Sequence, residues 1–371
     1  MIRLPEKIRR TLEKIVAELR TRENIYGIGL FGSWSRDDAT SSSDIDLFIL
    51  DKGNFPHEYV ERIEINGLFI DLDHVPQKWV HGPIPPEIDQ KLYEMQILYD
   101  RDWSLTNTKL LMTKSYASPE RVEIRTETHI VDADIYLSRA TSAFSREDFY
   151  SAYLFASSAL ENILKVLIEI ALKPFSNSRF LENLEASTAE FGMQTLFSGF
   201  LKVARLQEAS NEGVKEKLRL FKNIWDEMQI TTKQNMQTFN SSHFTVKTKL
   251  NYYLNPAFLQ GTIIRTNSLI ENGKFSEASH YLSDILLNTL ENYIWLKSSI
   301  KKIKVDYTTL IRTLENLEEK NPKSYDCIIK FLNLNNVNKS STEHAISKTR
   351  EIILKIRRDR KVLIKNHLIK T

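Results

Sequence analysis

The chain has 371 residues, too many for one ordinary hydrophobic core, so two or three domains are expected. Hydrophobic residues make up 42% and charged residues 27%, a globular balance that excludes disordered and fibrous classes. No apolar run approaches the roughly 18–20 residues that cross a bilayer, so no membrane association is expected.

The start, MIRLPEKIRRTLEKIVAELR, is charged throughout and lacks the apolar centre of a secretory signal. Cys327 is the only cysteine, which excludes an intrachain disulfide and a cysteine-rich zinc site and makes a reducing cytoplasm the expected compartment. The net charge of +3 is unevenly spread: from Lys348 onward nine Lys/Arg face Glu351 and Asp359, a local +7 that leaves about −4 elsewhere.

Residues 5–22 place Ile8, Leu12, Ile15, Val16 and Leu19 on one stripe, the pattern of an amphipathic helix packed on a sheet. The period then shortens. Ile25–Phe31 reads as a strand, Gly32-Ser33 as a turn into a short helix around 34–37, and Asp44–Leu50 as a second strand. Asn66-Gly67 between VERIEI and LFIDLDHV is the preferred pair for a two-residue type I′ hairpin. That turn fixes a register in which Ile65 faces Leu68, Ile63 faces Ile70 and Arg62 faces Asp71. The apolar residues then share one face, while Arg62, Glu64, Phe69, Asp71 and Asp73 share the other. Pro83, Pro85 and Pro86 mark a loop, and a helix with the run Ile97–Asp100 closes this part.

Helical periodicity follows. Ser118-Pro119-Glu120 is a helix start, and Lys173-Pro174, Asn255-Pro256 and Asn321-Pro322 are breaks. RFLENLE (179–185) recurs as RTLENLE (312–318), DFYSA (148–152) as KFSEA (274–278), and ALEN (159–162) as TLEN (289–292). The order is kept at offsets of 133, 126 and 130, as a duplication with small insertions would keep it, although leucine-rich helices also produce such matches by accident. A duplication would put Leu181 and Leu314 in equivalent places. In the tail, Lys355, Arg357, Arg358, Arg360 and Lys361 interleave with Ile356, Leu363 and Ile364. That is the pattern of a packed helix first, adding modest, salt-sensitive RNA affinity at most.

The chemistry concentrates in GLFGSWSRDDATSSSDIDLFIL, residues 29–50. Asp44 and Asp46 flank Ile45 on a strand, so their side chains share a face roughly 6.5–7 Å apart, suited to joint coordination of a hard divalent cation. Ile45, Leu47 and Ile49 point the other way, into a core. Gly32 lets the backbone approach closely, and Ser33 adds a hydroxyl at a helix start that favours anions such as a triphosphate. The hairpin brings a third carboxylate, Asp71 or Asp73.

A GS pair, a DxD twelve residues after the glycine and an aspartate on a later strand resemble the DNA polymerase beta-like nucleotidyltransferases, the minimal and kanamycin-type members above all. The resemblance covers about residues 8–105 and implies an α+β fold. A nucleotidyltransferase α/β domain with a mixed sheet (1–115) would precede one or two all-α bundles, at 116–240 and 241–371. It implies that Asp44, Asp46 and Asp71 hold two Mg²⁺ ions (Mn²⁺ could substitute), with Gly32, Ser33 and Arg36 on the nucleotide. Asp71 is preferred to Asp73 because the family acid usually follows an apolar β-branched residue, as in Ile70-Asp71, and Arg62 is read as its ion-pair partner. The expected reaction moves NMP from an NTP, ATP by default, to an unnamed acceptor hydroxyl and releases pyrophosphate. Asp37 departs from the family glycine, so that loop is expected to tilt and to bring an extra acid near the phosphates.

Residues 146–169 resemble the helical HEPN-type domains that accompany such enzymes. Arg360 and His367 have the spacing of the ribonuclease members without the surrounding motif. Glu161 and Lys165 could supply a group to the cleft but read first as an i,i+4 surface pair, and His129 and Asp132 read as structural. The competing class is a catalytically inert nucleotidyltransferase fold that binds nucleotide, RNA or protein. A homodimer is compatible with the sequence and not specified by it.

Overall fold

The computed structural model describes residues 4–318 and 322–368; Asn321 of the third expected break and Lys370 of the basic tail lie outside them. The amphipathic stripe forms α1 (Glu6–Leu19), with Ile8, Leu12, Ile15 and Leu19 buried. There follow β1 (Ile25–Phe31), α2 (Ser33–Arg36), β2 (Ile45–Asp51), β3 (Tyr59–Ile65), β4 (Leu68–Pro76), α3 (Asp89–Glu94), β5 (Gln96–Asp100) and α4 (Ser104–Ser115). The five strands form one sheet in the order β3-β4-β2-β1-β5. It is mixed: β2 and β4 run parallel, and the other neighbours are antiparallel.

The hairpin register is the one the turn pair dictates, with Arg62 opposite Asp71, Ile63 opposite Ile70 and Ile65 opposite Leu68. Asn66 and Gly67 take φ of 55° and 73°, the left-handed pair a type I′ turn needs. Ile45, Leu47, Ile49, Ile70 and Leu72 join the stripe of α1 in one buried cluster. The opposite face of β2 is not simply polar, because Phe48 and Leu50 are also fully buried. A strand in the middle of a sheet is covered on both sides, and alternation survives only at its N-terminal end, where Asp44 and Asp46 lie.

At the other end of β2, His74 of β4 sits 2.9 Å from Asp51 Oδ2 through Nδ1 and stacks flat on Tyr59, centroids 4.7 Å apart. Burial opposes its charge. The Asp51 hydrogen bond and the carboxylate of Glu61, 3.7 Å from Nε2, outweigh that and push its pKa up to about 9. A raised pKa stabilises the fold fully below the unfolded value of about 6.5 and is lost as pH climbs to about 9. Urea titrations of this unit should therefore show stability falling between those pH values, and His74→Gln should flatten the slope. An unchanged slope in the variant would remove His74 as its source.

The rest is helical: α5 (Pro119–Ser145), α6 (Phe149–Ile170), α7 (Phe180–Glu190), α8 (Gln194–Val203), α9 (Asn211–Gln234), α10 (Met236–Asn240), α11 (Phe244–Tyr253), α12 (Pro256–Glu271), α13 (Phe275–Lys301), α14 (Leu310–Leu317), α15 (Pro322–Phe331) and α16 (Lys339–Leu368). The compact units differ from a linear three-part division. One comprises Met1–Ser118 with His243–Arg265, the other Pro119–Ser242 with Thr266–Thr371. The reason lies in β3, an edge strand whose outward polar groups need a cover. Phe244 packs edge-on to Tyr59 at 5.8 Å, and Asn255 Nδ2 donates to the Arg62 carbonyl at 2.9 Å, so chain from well beyond residue 115 completes the sheet unit.

Within the helical unit, α5 to α9 and α12 to α16 follow the same order: two long helices, two short ones, one long. Left-handed residues recur at matching joints, Glu147 and Gly273, Leu172 and Lys302, Arg205 and Asn333. Leu181 and Leu314 are both buried in the third helix of each series. The caps are exchanged. Glu277, at the start of α13, accepts from the Leu181 and Glu182 amides at 3.1 Å; Ser151 and Asp148, at the start of α6, accept from the Ile311 and Arg312 amides at 2.7 and 3.3 Å. The two series thus share helix order, left-handed joints and reciprocal caps.

Helix α6 is long and apolar enough to span a membrane by composition, contrary to the expectation that nothing would be, but it is mostly buried as the core helix of this unit. The basic helix α16 is packed, with Ile352, Ile353, Ile356 and Ile364 buried, and its cations meet acids of α5: Arg357 pairs with Asp134, Arg360 with Glu127, and Lys361 with Glu123. That pairing leaves less positive field for RNA than the bare sequence suggests. Glu161 and Lys165 do pair, at 3.0 Å, but largely out of solvent and with His280 3.1 Å from Glu161, so the pair is not a surface one.

Lys217 of α9 is buried against Phe331, and among the described residues its hydrogen-bond partners are the hydroxyls of Ser279 and Ser283, at 3.0 and 2.6 Å. Burial drives its pKa down to about 7. A depressed lysine penalises the fold below that value, and the penalty fades as pH rises toward the unfolded value of about 10.5. Lys217→Met is expected to stabilise the helical unit at pH 6 by a few kcal/mol and to remove a rise in stability above pH 7. A destabilised variant at pH 6, read by Trp225 fluorescence in urea, would show the hydroxyl pair to matter more than the buried charge.

Candidate active site

The parallel pairing of β2 with β4 sets Asp46 directly beside Asp71, and Asp44 immediately precedes β2, so three carboxylates meet at one end of the sheet. Asp73 lies further along, beside Phe48 in register, and pairs with Lys91, which also holds Glu58 at 2.8 Å. The structure thus brings together Asp44, Asp46 and Asp71 and sets Asp73 against α3.

Two cations neutralise two of the three acids. Arg62 forks onto Asp71 through Nε (2.6 Å) and Nη2 (2.7 Å), and Nη2 also reaches Asp44. Arg265 of α12 lies 3.0 Å from the same Asp44 oxygen. Tyr252 donates its hydroxyl to Asp71 at 2.8 Å; burial first, then the Asp71 charge, raise its pKa, so it stays a donor. Asp46 makes no hydrogen bond or ion pair among the described residues. Burial, then Asp71 and Asp44, push its pKa well above the carboxylate range against the weaker pull of Arg265 and Arg62. A half-buried carboxylate beside two others and without an ion-pair partner among the described residues is a natural ligand for a divalent ion, and an all-oxygen set of this kind suits Mg²⁺ or Mn²⁺.

Gly32 takes φ 72° and ψ −156°, and a Cβ there would stand 2.2 Å from Asp46 Oδ2. Only glycine lets the loop pass this close. Its amide donates to Glu94 Oε1 at 2.8 Å, and Glu94 Oε2 accepts from Arg36 Nη1 at 2.7 Å. Arg36, expected on the nucleotide, is therefore held by Glu94 and by Asp38. The Ser33 hydroxyl has no protein partner among the described residues. Asp37 adopts the left-handed conformation, φ 63°, which an aspartate tolerates, so the loop keeps the backbone a glycine would give it.

A family model described as polymerase beta, nucleotidyltransferase matches residues 13–78, the stretch that holds the loop, β2 and the hairpin. Over 84 residues the chain is 37% identical to a protein of Methanocaldococcus jannaschii provisionally named a protein adenylyltransferase, covering 21% of this chain and 82% of that one. The chain belongs to the polymerase beta-type nucleotidyltransferases. A crystal structure of a nucleotidyltransferase-like protein from Exiguobacterium sibiricum 255-15 aligns over 72% of this chain and 92% of that one, at 13% identity and a TM-score of 0.31.

Sequence reasoning missed Tyr252, Arg265 and Glu94 at this site. The first two come from a segment some 180 residues after β4, and no local pattern ties them to the acids. The one available signal was the aromatic cluster Tyr252, Tyr253 and Phe258 around Asn255-Pro256, whose rings pack on one another at 4.8 to 5.2 Å. Glu94 gave none, because its role depends on where α3 packs.

Proposed function

We propose that the protein transfers AMP from ATP to an acceptor hydroxyl, with Asp44, Asp46 and Asp71 as its metal-binding acids. The observation that carries this is the register of Asp46 beside Asp71, with Asp46 lacking a protein counter-ion. Mg²⁺ held there would offset the triphosphate charge and acidify the attacking hydroxyl. Gly32 keeps the loop close to Asp46, and the Ser33 hydroxyl at the start of α2 would donate to a phosphate oxygen. Arg62 fixes the orientation of Asp71 from behind. The acceptor oxygen bonds to the α-phosphorus, the bond from that phosphorus to the bridging oxygen breaks, and pyrophosphate leaves. The provisional name of the archaeal relative favours a protein side chain as acceptor.

The inert alternative draws on Arg62, which bridges Asp44 and Asp71. Incubating the protein with α-labelled NTPs and cell extract separates the two. Transfer requires Mg²⁺-dependent labelling that peaks with ATP and vanishes in Asp44→Ala. Metal-dependent NTP binding with no labelled product would favour the binding module.

A further inference from the structure

We propose that Arg265 couples divalent-cation binding to the nucleotide: it serves as the internal counter-ion of Asp44 and moves to the triphosphate when a metal–nucleotide complex binds. The inference rests on the nucleotidyltransferase reading and adds a binding order to it.

The argument begins with charge. Asp44, Asp46 and Asp71 bring three negative charges when ionised, and Arg62 and Arg265 return two positive ones. A bare dication approaching this end of β2 meets a nearly neutral cluster and two guanidinium groups that repel it. A cation arriving with a triphosphate brings an anion for the arginine. The Asp44–Arg265 pair then exchanges for an Asp44–metal and a phosphate–Arg265 pair, and no charge is left alone.

The two arginines are built differently. Arg62 is fixed: it is forked onto Asp71, its side chain is 3% exposed, and Phe258 and Tyr252 lie 5.1 and 5.6 Å from its guanidinium. Behind it Gly261 approaches so closely that a Cβ would stand 2.7 Å from Nη1. Arg265 follows one turn later on the same helix, lies 3.0 Å from Asp44 Oδ2 through Nη2, and is 20% exposed against the 3% of Arg62. It has the room to turn that Arg62 lacks, and guanidinium binds phosphate oxygens in the same forked manner as carboxylate.

The test is Mn²⁺ titration by electron paramagnetic resonance, alone and with the non-transferable analogue α,β-methylene-ATP, in wild type, Arg265→Gln and Arg265→Lys. Wild type should bind Mn²⁺ weakly without the analogue and tightly with it. Arg265→Gln should shift the two affinities in opposite directions, free Mn²⁺ at least ~10-fold tighter and the Mn²⁺–analogue complex at least ~10-fold weaker. Arg265→Lys, which keeps the charge and loses the fork, should leave free Mn²⁺ weak and lower only the complex. Equal affinities for wild type and Arg265→Gln in both titrations would overturn the coupling while leaving the enzyme reading intact. A wild-type protein that bound neither form would overturn both. Thermal melts of the variants check that the fold is kept.

Discussion

Alanine at Asp44 or Asp46 is expected to lower nucleotidyl transfer at least ~100-fold, the scale on which a preorganised electrostatic group contributes to a reaction. The two losses should differ in kind. The Asp46 carboxylate has no ion-pair partner among the described residues, so its removal would take away a proposed metal ligand without stranding a partner. Asp44 is shared by Arg62 and Arg265, and its loss takes a carboxylate from both guanidinium groups, which under the proposed function would favour a bound triphosphate. Asp44→Ala should therefore bind nucleotide without metal better than Asp46→Ala does, although both lose transfer. Calorimetry with ATP, with and without Mg²⁺, reads this directly. Full Mg²⁺-dependent ATP binding and transfer in either variant would falsify the carboxylate assignment. Asp71→Ala is a poorer probe, because it leaves the buried Arg62 without its main partner and invites a folding defect.

Gly32→Ala should be the second severe change, for a reason that can be isolated. The backbone there lies in a region essentially reserved for glycine, which by itself costs about 1–3 kcal/mol for any other residue. The added methyl would also stand 2.2 Å from the Asp46 carboxylate and 3.3 Å from its Cβ. Asp46 cannot retreat, since its backbone is paired to β1 on one side and β4 on the other. Gly67 provides the control: its φ is 73°, close to the 72° of Gly32, and nothing lies within 4 Å of a Cβ built on it. Both alanine variants should lose stability in urea, but only Gly32→Ala should lose transfer, again by ~100-fold on the scale of a displaced electrostatic group. Equal transfer by the two would mean that the close approach to Asp46 has no catalytic value.

The parts of the site legible in the sequence are those set by local rules. Period two on β2 places Asp44 and Asp46, and the Asn66-Gly67 turn fixes Arg62 opposite Asp71 without reference to the rest of the chain. What was not legible depends on tertiary packing. The parallel pairing of β2 with β4, which puts Asp71 beside Asp46, required knowing that the hairpin adds to β2 through its second strand. The Arg36 partner is a glutamate 58 residues away, and the cover over β3 comes from residues beyond 240. The same limit applies to the helices. Breaks at Pro119, Pro256 and Pro322 were visible because proline acts on its own neighbourhood, whereas the return of 243–265 to the sheet is a contact and not a pattern.

The exchanged caps of the helical unit set an order of events during synthesis. The first amides of α7 wait for Glu277, made 96 residues after Leu181, and Asp148 waits 164 residues for Arg312. Helices α6 and α9 carry caps of their own, but α7 has none, so a nascent chain that stops after α9 holds α7 with an open start and an apolar core that the later helices have yet to cover. Synthesis must reach the second series of helices before the unit closes, which makes the bundle dependent on distant contacts, slow to form, and a natural client for chaperones until α16 is made.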